Sequence, residues 1–425
     1  MGSLYAKNGA GLSDAQIFGF IDEIVSGAAK PGKILLLPSD YTRLHSYSGR
    51  ITARLYKKLI AAGREVDVMP ALGTHEPMTE AEAEDFFGGD VPFGKLTVHN
   101  WRNDVVKLGA VPGGFVSEVS EGLMTDPIDV EVNRRITDPS YGLIISAGQV
   151  VPHEVVGMAN HNKNIFVGCG GSSMINGSHM VGAFYGLERM MGASDTPVRK
   201  IFNYAEDKFL AGVNILYILT VTTASGPEVR VHGVFAGSGR DIFDDAVTLS
   251  REKNMTFVEK PIKKAVVYLD GREFKSTWVG NKAVYRTRMA MAEGGGLIVV
   301  APGVSKFGED AGNDALIRKY GYVGRENILR LYRDNADLRG NKSAPAHLIH
   351  GSPDGKFTVT YAVGKLTREE IESVGYAYAP YAETIKKYPV AELREGFSTL
   401  PDGEEIYFIK NPALGLWVSK GSFGP

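Results

Sequence analysis

Short apolar runs rich in β-branched residues alternate with longer segments of helical period along almost the whole chain, and this alternation allows few folds. The first half reads KILLLPSD as a strand, SGRITARLYKKLIAAG as a helix with apolar residues at Ile51, Leu55 and Leu59, and EVDVMPAL as a strand. TEAEAEDFFGG follows as a helix opened by a Thr79-x-x-Glu82 capping box, and LTVHNW and YGLIISAG read as further strands. Strands that alternate with helices pair in parallel through helical crossovers. After NILYILTVTTA, VRVHGVFAG and the helix RDIFDDAVTLSREKN comes FVEKPIKKAVVYLDG, where Pro261 and its lysine neighbours mark a boundary. A second series then begins: KAVVYLD, a helical NKAVYRTRMAMAEGG, GLIVVAPG, two charged helices, KFTVTYAVG, a Thr367-x-x-Glu370 capping box and EEIYFIK. The expectation is an α/β fold of two domains, each a mainly parallel sheet flanked by helices, with the active site in the interdomain crevice. Residues 1–262 form the expected N-terminal α/β domain and 263–425 the C-terminal one.

Charge narrows the partners. The 47 Lys and Arg nearly balance the 49 Asp and Glu, so no global field recruits nucleic acid or an acidic membrane. The single cysteine, Cys169, excludes an intrachain disulfide framework and a thiolate cluster and fits a reducing compartment. No stretch approaches the roughly 18 consecutive apolar residues of a membrane span, and the start MGSLYAKNGAGLSDAQ has no apolar signal core, so a cytoplasmic protein is expected.

Three polar clusters each follow directly on an expected strand: PSDYTR (Pro38 to Arg43), GTHEP (Gly73 to Pro77) and SAGQVVPH (Ser146 to His153). Ligands of open α/β sheets bind beyond the carboxyl ends of the strands, so these loops are expected to face one crevice. Asp40, Thr42 and Thr74 are also residue types that cap helices and close turns. His75 and His153 bring imidazoles suited to proton exchange near neutral pH, and Arg43 offers a planar fork to a carboxylate. The segment VPHEVVGMANHNKNIFVGCGGSSMINGSH holds three of the nine histidines with Lys163 among them. Its glycine run, Gly168 to Ser173, lacks both the dinucleotide pattern and the phosphate-loop Gly-Lys-Ser/Thr and reads as a turn. Zinc and calcium patterns are absent.

SDYTR, LGTHEPMT, the His153 to His179 spacing and the closing LPDGEEIYFI, in this order, resemble the lactate racemase family, over a span from about Lys33 to Lys410. The resemblance implies a nickel-pincer nucleotide (Ni, pyridinium-3,5-bisthiocarboxylic acid mononucleotide) joined through a thioamide to a lysine. That lysine stands ten residues after a histidine base and sixteen before a nickel-ligating histidine. Here the three are His153, Lys163 and His179. Carried over one by one, the family pattern implies His75 and His153 as the two bases and Arg43 near substrate and nickel. Ser39, Asp40, Thr42 and Thr74 fall beside the cofactor, with Asp40 at its ribose, and Lys282, in the second domain, on the substrate carboxylate.

The implied reaction is racemisation or C2 epimerisation of a 2-hydroxy acid by hydride transfer, since the C2 proton of a simple 2-hydroxy carboxylate is too weakly acidic for a histidine to remove. The implied partners are a small 2-hydroxy acid and the enzymes that make the cofactor, with neither nucleic acid nor membrane among them. This sequence departs from the family at three places. The glycine- and serine-rich SGGRKS tether loop is NHNKNI, bringing Asn160, His161, Asn162 and Asn164. A Tyr-Gln pair near the substrate becomes Trp278-Val279, and the tryptophan wall of a lactate pocket has no counterpart in GNKSAPAHLIH. Asn341, Lys342, Ser343 and His347 there, with Trp278, suit a longer sugar acid, an aldonate such as gluconate. A lactate or other short-chain acid racemase stays open, as do an oxidoreductase or hydrolase with another cofactor and a non-catalytic sugar-acid binding protein.

Overall fold

The computed structural model describes residues 2–7, 9–28, 30–225, 228–341, 343–413 and 415–421. The chain divides into two compact units, Met1–Val181 with Arg189–Asn254, and Gly182–Glu188 with Met255–Pro425.

In the N-terminal unit the strand Lys33–Pro38 is apolar from Ile34 to Leu37, all at most 1% exposed, as a strand covered on both faces must be. It pairs in parallel with Val66–Val68 on one side and Tyr141–Gln149 on the other, and Ile215–Ser225 continues the parallel set. Glu228–Gly237 and Gly2–Tyr5 complete the six-stranded sheet antiparallel. The helix Ser48–Ala61 makes the crossover to Val66–Val68, and its buried Ile51, Leu55 and Leu59 are the stripe that the period predicts. Thr79 closes its capping box with Glu82 at the start of the helix Glu80–Phe87.

LTVHNW is not a strand. Only Leu96 bridges Val68, and the chain then turns where the Asn100 side chain accepts the backbone N–H groups of Arg102 and Asn103. The parallel register sets Pro38 beside Ala147 and Ser39 beside Ala71. The loops Ser39–Arg43, Gly73–His75 and Val150–His153 therefore leave the same edge of the sheet.

The C-terminal unit is built on the order Ala377–Pro380, Phe357–Val363, Met291–Val300, Ile262–Tyr268, Glu405–Ile409 and Gly396–Thr399, with only the last strand antiparallel. Apolar clusters cover both faces, one around Leu297, Val299 and Val359, the other around Val266, Val300 and Phe408. Thr367 and Glu370 form the second capping box. NKAVYRTRMAMAEGG does not form one helix: Thr277–Gly280 and Lys282–Tyr285 are single turns, and the strand begins at Met291. Tertiary bonds override its helical period. The buried Arg288 guanidinium is drawn onto Glu188 at 2.9 Å and Asp354 at 2.7 Å. Among the described residues no helix is long and apolar enough to cross a membrane.

Candidate active site

Asp40 ends the first parallel strand's loop with its carboxylate almost fully buried, and both oxygens are engaged. The Thr42 hydroxyl donates to Oδ1 at 2.7 Å, and His75 Nδ1 donates to Oδ2 from the next loop. Burial works against the charge, but the bonds from His75 and Thr42 and the nearby Arg43 outweigh it and hold the carboxyl below its ordinary range. His75 itself is half exposed. Ser39 is buried at the strand end, and Thr74 is exposed at the loop tip.

His153 lies on the third loop, in a two-residue strand that pairs with Gly157–Met158. It is buried, and its Nδ1 accepts the backbone N–H of Val155 at 3.1 Å. Burial pushes its basicity well below the ordinary imidazole value, opposed by Glu154 and reinforced by the charges of Lys163, Arg43 and His179. Those perturbations place Arg43, His153, Glu154, Lys163 and His179 in one electrostatic neighbourhood. The Lys163 amine, in turn, is lowered to about 8 by burial first and by Arg43 next, against Glu154 and Asp40. Such a lysine is uncharged more often than a surface one, which favours its reacting as a nucleophile. His179 sits on the helix Ser172–Tyr185 and donates Nδ1–H to the Ile175 carbonyl at 2.6 Å, so its Nε2 carries the lone pair.

The segment before Lys163 is unusual. Asn160 and His161 have φ of 68° and 56°, left-handed values that asparagine tolerates and glycine adopts without cost. A π-turn, Asn164–Gly168, follows directly, a geometry frequent at functional sites. The polar side chains of NHNKNI turn inward: Asn160, His161, Asn162 and Asn164 are all buried. His161 stacks on Tyr217 at 4.0 Å, and Asn162 donates to Asn203 and Glu206.

Arg199, which sequence reasoning missed, holds the segment. It donates to the carbonyls of Asn160 at 3.1 Å and Met158 at 2.7 Å and to the Asn162 side chain. Only its place in the helix opened by Thr196 and Pro197 hinted at a buried face. The glycine run is a close-packed crossing, not a loose turn. A Cβ on Gly168 would lie 2.6 Å from the Cβ of Ala71, and Gly73 N–H bonds the Gly168 carbonyl at 2.8 Å. Cys169 is buried, with its thiol pushed up to about 12, and is chemically quiet.

The remaining candidates belong to the C-terminal unit. Lys282 opens a helical turn, its ammonium 5.7 Å from the Phe274 ring centroid. Trp278 stacks on His347 at 4.2 Å, and His347 Nε2 shares a 2.9 Å hydrogen bond with the Tyr322 hydroxyl. Asn341 is engaged at a helix start: Nδ2 donates to Asn313, and Oδ1 accepts from the Ser343 hydroxyl and Ala344 N–H. Lys342 lies outside the described residues.

Residues 22–190 match the lactate racemase N-terminal domain. Among solved structures, a protein from Thermotoga maritima is similar at TM-score 0.82 and 23% identity, over 98% of this chain and 100% of that one. The lactate racemase apoprotein from Thermoanaerobacterium thermosaccharolyticum is similar at 0.69 and 17% identity, over 94% and 92%. At these identities the two likenesses establish the fold. No curated protein matches the chain in sequence.

Proposed function

We propose that the chain is a racemase or C2-epimerase of 2-hydroxy acids that works with a nickel-pincer nucleotide joined to Lys163. The match of residues 22–190 to the lactate racemase N-terminal domain supports the racemase-type role. The observation that carries the finer reading is the lowered Lys163 amine in the same electrostatic neighbourhood as Arg43, His153 and His179.

The residues fit such a group. His179 has Nδ1 fixed on a backbone carbonyl, as a metal-binding histidine has, with Nε2 available. Lys163 has an amine ready for a covalent link. Among the described residues no group of three or more His, Cys, Asp or Glu could hold a metal ion, so a nickel ion held by His179 would need further donors that the bound group brings. When bound, the nucleotide supplies a hydride acceptor and donor. The chain's own part is proton handling and orientation. Arg43 binds the carboxylate, and His75 and His153 act on the substrate hydroxyl. The burial of His153 limits water at that proton.

Lys163→Ala, expressed with the cofactor-making enzymes, is expected to fold but to show neither the added intact mass nor stoichiometric nickel. Lys163→Arg behaves the same way, since a guanidinium does not form the thioamide. Retention of both by either variant overturns the reading.

Within the class, an aldonate such as gluconate rests on the polar composition of the run after Gly340, since Trp278 and His347 are stacked on each other and His347 is bonded to Tyr322. The bonds that engage Asn341 and Ser343 at a helix start favour the second reading, a lactate-like short-chain acid. A panel of 2-hydroxy acids of increasing length decides between them: kcat/KM rising with chain hydroxyls supports the aldonate, and a lactate optimum overturns it.

A further inference from the structure

The two histidines that face the substrate in this reading differ in what holds them. A carboxylate has no proton to give once ionised, so the contact between His75 Nδ1 and Asp40 Oδ2 requires the proton to sit on Nδ1. A backbone amide has no lone pair to offer, so the 3.1 Å contact from Val155 N–H requires His153 Nδ1 to be bare. We propose that the two histidines are held in opposite tautomers, His75 with its proton on Nδ1 and His153 with its proton on Nε2. His75 thereby enters the reaction as proton acceptor and His153 as hydrogen-bond donor, and Asp40 is the positioning residue that makes them differ.

The consequences follow from each ring's open nitrogen. Among the described residues neither Nε2 makes a protein hydrogen bond. At His75 that atom is a lone pair: the substrate O–H breaks, an N–H forms at Nε2, and the imidazolium is stabilised by the Asp40 carboxylate behind it. At His153 the atom carries a hydrogen and the ring stays neutral in its buried seat, so it polarises the substrate oxygen without accepting its proton. Thr42 completes the device by donating to the second oxygen of Asp40, which fixes the carboxylate plane against His75. The arrangement is local to the three loops at one sheet edge. It also gives Asp40 a task beyond the cofactor ribose. The two epimers of a substrate accordingly meet unequal partners in the resting protein.

This inference rests on the racemase reading only for what the histidines act upon. The tautomers themselves are measured on protein without cofactor, by long-range nitrogen–proton NMR correlation of histidine-labelled full-length chain at pH 8. His75→Asn and His153→Asn assign the two signals. The expected result is Nδ1–H for His75 and Nε2–H for His153. Asp40→Ala, with the fold and the His153 signal intact, returns His75 to the Nε2–H form that a free imidazole prefers. Asp40→Asn, whose carboxamide oxygen still accepts, keeps Nδ1–H. With loaded enzyme, Asp40→Ala lowers kcat about 10²-fold or more while KM moves little. Wild-type rings in the same tautomer, or a His75 tautomer indifferent to Asp40→Ala, overturn the inference. Lys163→Ala retaining nickel would instead end the racemase reading and leave the tautomer result standing.

Discussion

Two groups of polar side chains, one in each unit, are arranged on opposite plans. Around Lys163 each of three histidines is tied to the protein through Nδ1: His75 to Asp40, His153 to Val155 N–H and His179 to the Ile175 carbonyl. Among the described residues none of these three makes a protein hydrogen bond through Nε2. In the C-terminal unit the bonds close on the protein itself. Trp278 lies on His347, His347 bonds Tyr322, Tyr322 bonds Thr277, and Tyr361 and Tyr376 both donate to Asn281. The first plan leaves one ring nitrogen of each histidine without a protein partner among the described residues; the second fixes a buried aromatic stack. Histidine count alone does not separate chemistry from architecture, whereas the nitrogen left over does.

The largest effect that can break this contrast is catalytic. His75→Ala and His153→Ala in loaded enzyme should each lower epimerisation by about 10²–10⁴-fold, the range of general acid and base catalysis. Because His75→Ala also leaves the buried Asp40 carboxylate without its imidazole partner, it should cost about 1–3 kcal/mol of stability. Rates of both epimerisation directions and a urea titration check the pair of outcomes. Near wild-type turnover by either variant would remove that histidine from the reaction.

Much of the frame was legible because it is local. Buried parallel strands read as apolar runs, the helix Ser48–Ala61 shows its stripe, and both capping boxes span only three residues. What was illegible depends on distant partners. LTVHNW has the composition of a strand but finds one bridge, at Val68, and the helical period after Asn281 yields to Arg288 reaching Glu188 and Asp354. In the candidate site the loops and residue types could be read from their place after strands. The left-handed Asn160 and His161 could not, because the bonds that hold them come from Arg199, nor could the Asp40–His75 bond across 35 residues.

A middle-sized effect tests the second plan. Asn281 Oδ1 accepts from Tyr361 at 2.7 Å and Tyr376 at 3.1 Å; Tyr376 also reaches the Gly351 carbonyl at 2.8 Å, while among the described residues the Tyr361 hydroxyl makes no other hydrogen bond. Asn281→Ala strands a buried hydroxyl and should cost about 1–3 kcal/mol. Adding Tyr361→Phe removes the stranded group, so the double variant should be less unstable than the two single costs added together. Strict additivity in denaturant titrations would mean that the bond does not organise the stack.

The smallest effect concerns acid, and it separates a histidine used as architecture from one kept for chemistry. Burial lowers His347 to about 3 from an ordinary 6.5, and the neighbouring His350 adds to the shift. Its folded form therefore resists a proton that the unfolded chain accepts. Between those two values the unfolded state binds more protons, so stability falls as pH drops below about 6.5, by at most about 1.4 kcal/mol per pH unit from this one group. His347→Gln keeps an amide to bond the Tyr322 hydroxyl but does not titrate. On going from pH 7 to pH 5.5 the variant should lose about 1 kcal/mol less stability than the wild type, read from urea midpoints followed by tryptophan fluorescence. An identical pH dependence in the two proteins would show that His347 is solvated or protonated where it sits. The closed aromatic stack would then be the wrong description of this region, and His347 would move to the class of histidines that face something other than protein.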